Sequence, residues 1–534
     1  MNKSLAVLLI AAAVWPSFAT DFLSSRFSRN TESKQVKVRE VEGLGQHMAD
    51  GKLHLHLRDF LELVLKNSAD IQITRMDVYD AATAITSAKA PFDPFLSPSF
   101  SAQRILTPPS PFYFFQGSVS NLSQQSNIQF TQLLPTGQTI NSSFGVSRIS
   151  GAGYDSPELF GTLSFSVTQP LLRNRTGIEA RAPLILARTQ LNITSEIGEY
   201  TIGNAVSQAA LQYWQAILDR ESIHVQEQAV GLAEKANERD KKALELGALS
   251  KLDIYQSEAQ LADSKRNLIQ AQHQYTAALD GLRRLIGADL TPALRSTEIV
   301  LEDDAAAMPA KNEILPFEEA LSKALTARPE LQAADQRISI DELNARVSRQ
   351  RFLPQLDLQV NGGSSGPAAN FGTAGIVYPG LSDTLRQVLG FNYPSYGLAL
   401  NMTIPLRNSP AQANLADALI SKTRDVYAKR QTQEQVILDV RQAINAIDLA
   451  KATIDAAITA RDFARKNVDA EQQKFELGTI LVFELLDSQT KLAASETALL
   501  AAYVNYQEAY INYQRATWTL LDGLGMVVEK PQIR

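Results

Sequence analysis

Few side chains in this 534-residue chain have types and spacings that could do chemistry. Glu484 and Asp487 lie three apart near the start of a helical pattern and so share one face, and Asp253 holds the matching place in an earlier segment. Acids in a first turn also complement the helix dipole, which gives them a structural use on their own. His54 and His56 stand two apart ahead of a helix, but without cysteine or a second histidine pair nearby they make no metal site, and solvated imidazoles are expected. His224 and His273 have Gln and Glu neighbours and read as polar helix surface. Phe112, Tyr113, Phe114 and Phe115 fit either an interfacial aromatic belt or a packed loop tip. No Ser, His, Asp set or phosphate loop emerges, and nothing points to an enzyme, a cofactor or a metal.

The elements that must position these residues repeat. From Leu485 the apolar or small residues Ser488, Leu492, Ser495, Leu499, Ala502, Tyr506 and Ala509 step alternately by three and four, a heptad seam. Ile254, Ser257, Leu261, Ser264, Leu268, Ala271, Tyr275 and Ala278 restate it 231 residues earlier, with only Leu changed to Ile. Gly247 and Gly478 match at the same shift, each after a Leu. Nearer the front of each copy the shift is 260, as for Leu61 and Leu321 or Pro94 and Pro354. The chain is therefore an internal duplication of helical hairpins, with an insertion in the first copy.

That insertion has strand character. Ile128 and Phe130, then Ile140, Phe144 and Val146, then Leu163, Phe165 and Val167 alternate with polar neighbours, and Pro135, Thr136 and Gly137 signal a turn. Four strands are expected, near 96–106, 124–134, 138–149 and 160–170, and the second copy alternates at 355–361 and 397–404 around a Gly, Ser and Pro rich loop at 362–390. Helices are expected from His56 to Pro91, over 182–246, 250–286, 316–350 and 411–477, and in the return arm to 522. The two longest would reach about 100 Å, more than a globular core needs. In the second of them Val440, Ile447, Ile454, Val468 and Phe475 recur at sevens, with Ala443, Ala450, Ala457 and Ala464 between.

Residues 1–19 read as a secretory signal, with Lys3, the apolar run Leu5 to Val14, and Ser17 and Ala19 before the cut. Its removal takes the net charge from −6 to −7, and with no basic stripe nucleic acid is not a partner. The remaining divisions are a polar segment at 20–50, expected to be a flexible periplasmic arm, a first repeat at 51–286 with its strands at 96–170 and hairpin at 182–286, and a linker at 287–314. A second repeat follows at 315–525, with strands at 355–404 and hairpin at 411–522, then a tail at 526–534. Past the signal no apolar run is long enough for a spanning helix, so a membrane crossing would use strands. Six strands are too few to close a water-filled barrel, for which about eight is the minimum, so the chain must oligomerise.

The duplicated order of helix, strands and hairpin, the Thr-Gln-Pro-Leu-Leu-Arg run at 168–173, and the Leu-Gly turns followed by Ser-Lys-Leu-Asp (250–253) or Val-Phe-Glu-Leu-Leu-Asp (482–487) resemble the TolC-like outer-membrane efflux protein family. The resemblance spans about residues 53–525. It implies an α+β membrane protein, a homotrimer whose strands form one outer-membrane β-barrel in lipid and whose helices continue it as a periplasmic barrel. It also implies docking to a periplasmic adaptor (membrane fusion) protein and an inner-membrane pump, as the exit duct for small molecules. By the same resemblance Glu484, Asp487 and Asp253 form an acidic constriction, and Gly247, Leu249, Ser250, Gly478, Thr479 and Leu481 form the helix tips that adaptors grip. A capping glycine serves such a tip in either case. The same duct could serve type I protein secretion. A periplasmic coiled-coil scaffold without a pore is a different class, and the alternating strands disfavour it. Two departures stand out: the first repeat has four expected strands where well-known members have two, and Ile480 replaces the basic residue that latches some closed tunnels.

Overall fold

A computed structural model describes residues 41–525 apart from 109–118, 152–156, 248–249, 291, 293–294, 296, 307–313, 367–369, 373–374, 379, 478, 481 and 524. The expected signal segment, most of the arm, the C-terminal tail and residues 112–115 lie outside the described residues.

In chain order the main elements are α1 (Leu57–Asn67), α2 (Ala69–Lys89), and strands β1 (Phe95–Thr107), β2 (Val119–Leu133), β3 (Thr139–Gly151) and β4 (Glu158–Pro170). The first hairpin is α3 (Ile178–Glu245) and α4 (Lys251–Ile286). The second copy has α5 (Phe317–Ala327), α6 (Pro329–Gln350), β5 (Gln355–Gly366), α7 (Leu381–Leu389), β6 (Pro394–Thr403), α8 (Ser409–Glu476) and α9 (Val482–Ala516). α3 and α8 have 68 residues each. At ~1.5 Å per residue both are about 100 Å long.

Two of the single helices expected from the apolar pattern are each broken in two. Ser68 (φ −60°, ψ 125°) separates α1 from α2, and Arg328 (φ −68°, ψ 121°) separates α5 from α6. Pro329 drives Arg328 out of the helical region because its ring crowds the preceding residue. Ser68 lies 260 before Arg328 and has the same conformation without a proline, so the break belongs to the repeat.

The strands form one antiparallel sheet in the order β6-β5-β4-β3-β2-β1. Its register sorts the faces, since residues directly opposite one another project to the same side. One row reads Ser97, Gln129, Ser143, Ser164, Gly363 and Ser395. The next, on the other face, reads Pro98, Ile128, Phe144, Leu163, Ser364 and Pro394. Gly137 at φ +86° makes the turn between β2 and β3, where its N–H donates to the Leu134 carbonyl at 2.8 Å. Among the described residues neither β1 nor β6 has a strand on its outer edge.

The helices pack along the expected seams. Val440, Ile447, Ile454, Ala443 and Ala450 of α8 are buried with Ala502, Tyr506 and Ala509 of α9. A second core gathers Phe60, Leu61 and Val64 of α1 with Tyr213 and Ile217 of α3 and Leu282 and Ile286 of α4. Each such large side chain withdrawn from water contributes ~1.5–3 kcal/mol.

The residues expected as a linker are not a free connection. Ile299–Leu301 adds a parallel strand to Lys52–Leu55, pairing Leu53 with Ile299 and Leu55 with Leu301. The arm's described end is likewise packed, with Leu44 buried and Met48–Ala49 paired to that same strand. Within the Gly-rich loop, β5 runs on to Gly366 and α7 follows a small hairpin at 370–377.

Candidate functional site

The sequence-expected site sits where the two long hairpins turn. At the first turn the Leu246 N–H donates to the Lys242 carbonyl at 3.1 Å and the Gly247 N–H to that of Leu244 at 3.0 Å. Gly247 has φ +73° with open space where a Cβ would project, so the backbone, not crowding, requires glycine. Ser250 is exposed just ahead of α4, and Leu249 lies outside the described residues. At the second turn the Thr479 N–H and hydroxyl both donate to the Lys474 carbonyl, at 3.0 and 2.8 Å. Gly478 and Leu481 lie outside the described residues.

The two tips are packed side by side. Ala236 of α3 is buried against Val482 and Leu486 of α9, with Phe475 of α8 beside them. The Arg239 guanidinium stacks 4.0 Å from the centre of the Phe475 ring, and the Gln260 amide of α4 donates to the Thr490 hydroxyl at 3.1 Å. Leu485, Leu486 and Ser488 turn inward while Glu484 and Asp487 stay exposed. Lys491 joins them one turn on and pairs with Asp487 at 2.6 Å. The face is thus two carboxylates with one cation, an arrangement that attracts cations if several copies surround a passage. Asp253 falls in the first turn of α4.

Sequence reasoning missed a second polar cluster. His56 is exposed but paired on both nitrogens: Nδ1 meets Asp303 at 3.1 Å and Nε2 meets Glu302 at 2.8 Å. A carboxylate on each nitrogen favours the charged form of the ring. The hydrogen bond that the ring donates to Asp303 and the negative charges of Asp303 and Glu302 raise its pKa above the ordinary value, against partial burial. His54 pairs with Glu302 at 2.8 Å. Asp303 also accepts from the Leu57 N–H (2.7 Å), capping α1, and from the Tyr213 hydroxyl (2.7 Å). Arg220 donates to the Asp303 and Leu301 carbonyls. The available signal was the facing pair of spacings, histidines at 54 and 56 against acids at 302 and 303. Among the described residues no group of three or more such side chains is arranged so that it could hold a metal ion, and no helix is long and apolar enough to cross a membrane.

The sheet has one apolar and one polar face, and helices of about 100 Å continue it. Comparison with known proteins finds the same architecture. Residues 320–517 match the model of the outer membrane efflux protein family. The outer membrane protein TolC of Vibrio cholerae is 24% identical over 293 residues, 54% of this chain and 60% of that protein. The matched stretch thus spans less than two thirds of that relative's length. The Campylobacter jejuni CmeC outer membrane channel has the same fold, with a TM-score of 0.64 at 14% identity over 91% of this chain and 94% of that one. So does the Vibrio cholerae outer membrane protein VceC, with a TM-score of 0.60 at 15% identity over 88% and 96%. By sequence the likeness to the outer membrane efflux protein family covers most of the second repeat, and the fold throughout is that of these solved outer membrane channels.

Proposed function

We propose that this chain is the outer-membrane exit duct of a tripartite export system, a passive trimeric channel for small molecules driven by an inner-membrane pump through a periplasmic adaptor. The observation that carries this reading is the open sheet. β1 and β6 leave two unpaired edges on a surface that is apolar on one side and polar on the other. β6 has no charged residue and β1 only Arg104, so neither edge carries the charges that keep free strands apart. Pairing β6 of one copy with β1 of the next is a head-to-tail contact that closes into a ring. Three copies supply ~18 strands, enough for an aqueous lumen.

In that ring the polar rows of Ser, Gln and Asn line the pore and the helices carry it onward. Glu484 and Asp487, with Asp253, narrow the far end and favour cations. The tips at Gly247, Leu249, Ser250, Gly478, Thr479 and Leu481 meet the adaptor. Protein purified from outer membranes in detergent is expected to have the mass of three chains and to give discrete conductance steps in a planar bilayer. A monomer that conducts nothing overturns the proposal and leaves a pore-free scaffold as the better reading.

A further inference from the structure

We propose that α7 is an interfacial membrane helix, seated on the lipid side of the sheet at its outer end and held in the outer leaflet of the bilayer. This rests on the reading of the sheet as membrane-spanning. The helix covers a gap. Above Val360 on β5, and between Leu163 and Leu159 on β4, the apolar face offers only Gly362, Ser364, Gly366 and Gly161. Into this depression α7 inserts Thr384 and Val388, both without exposed surface. A Cβ on Gly161 would come within 2.8 Å of Val388, and one on Gly366 within 3.0 Å. Ser364 is buried beneath the helix.

What α7 covers on one side it presents again on the other. Leu381, Leu385 and Leu389 lie at intervals of four along a stripe beside the buried one, and Leu381 and Leu389 are 52% and 62% exposed. Phe391, next beyond the helix, has φ +52°, a conformation disfavoured for an aromatic residue, yet its ring is exposed. Tyr393 follows, also half exposed. Asp383 and Arg386 occupy the remaining face, with Arg386 the more exposed. Apolar on one side and charged on the other, α7 has the pattern of a helix lying in an interface.

Its height agrees. From Pro170, at the helical end of β4, to Gly161 is nine residues of strand. At ~3.3 Å per residue and a tilt of ~40° that is roughly 23 Å along the membrane normal, close to the ~25 Å apolar band of an outer-membrane barrel. α7 therefore lies where hydrocarbon gives way to headgroups, continuous with the apolar face below it.

The chain has no cysteine, so single-site labelling is clean. Leu389→Cys, Leu381→Cys, Arg386→Cys and Phe165→Cys would each carry an environment-sensitive fluorophore in the full-length protein reconstituted in vesicles. Lipids bearing a nitroxide near the headgroup or deep in the chain, and aqueous iodide, serve as quenchers. The labels at 389 and 381 are expected to be quenched at least about twofold more by the shallow nitroxide than by iodide, with the order reversed at 386. The label at 165 is expected to respond to the deep nitroxide. If 165 responds but 389 and 381 are quenched by iodide alone, or by nothing, α7 is in water or packed on protein and this inference fails. If 165 responds to neither lipid, the spanning reading itself fails.

Discussion

Asp487 and Lys491 touch at 2.6 Å, while Glu484 beside them is exposed. An exposed pair of this kind contributes at most ~1 kcal/mol to stability, but the ammonium offsets part of the charge Asp487 shows to a passing ion. Glu484→Gln is therefore expected to weaken divalent-cation block of the reconstituted pore by about threefold or more, and Lys491→Gln to strengthen it. Single-channel block curves at low salt measure both, and equal block in all three proteins would remove this face from the constriction. The pH dependence belongs to His56. Its folded-state pKa is raised, so the stability it contributes is complete below the ordinary imidazole value and is lost as pH rises through the raised one. The melting temperature of wild type should exceed that of His56→Gln at about pH 6, and the gap should close by about pH 9. Because the ring is 54% exposed, screening keeps the difference small. A gap constant across that range would mean that the imidazolium does not dock the inter-repeat segment. Histidine spacing was visible in the sequence, but its partners lie some 247 residues away and carried no local sign.

Among the elements, α3 makes a close contact that can be probed. A Cβ on Gly203 would fall 2.5 Å from the Trp518 ring, which is stacked on Tyr200 at 5.7 Å and sits on a backbone of φ +57°. Alanine gains up to ~1 kcal/mol over glycine inside a helix, whereas forcing a methyl into a packed site costs ~1–3 kcal/mol. The second effect is the larger because Trp518 is held on both counts. Gly203→Ala should lower the melting temperature in detergent, and most of that loss should vanish in a Trp518→Leu background. Additive effects would show that the two do not meet. The broken helices carry a related lesson. Apolar spacing continues across Ser68 and Arg328, so periodicity reads each pair as one helix, and only the proline at 329 hinted otherwise. At the second break Arg328 is 4% exposed and bridges Glu330 (2.7 Å) and Asp439 of α8 (3.0 Å), which fixes the bend against the long helix.

For the molecule as a whole, the decisive feature is a sheet that, among the described residues, begins and ends in free edges. If those edges meet between copies, cysteines on the polar face of each should crosslink. Ala399→Cys on β6 combined with Ser97→Cys, Ser99→Cys or Ser101→Cys on β1 scans the unknown register in a chain that has no other thiol. At one of these positions oxidation should give covalent dimers and trimers on a denaturing gel, with nothing larger. Crosslinks that form a continuing ladder, or none at any register, would contradict a closed ring.

The sequence by itself determined the duplication, the long hairpins with their Ala and Ser seams, and the two-residue alternation of the strands. Each of these is a periodicity that adjacent residues carry, 3.5 for packed helices and 2 for pleated strands, and so needs no knowledge of partners. Only the tertiary structure decided which strands are neighbours and where the edges fall. It alone placed Ile299–Leu301 beside Lys52–Leu55, gave the His54 and His56 rings their carboxylates, and laid α7 over Gly161 and Gly366. These contacts join residues far apart in the chain, selected by shape and charge across a gap, and no local pattern records them.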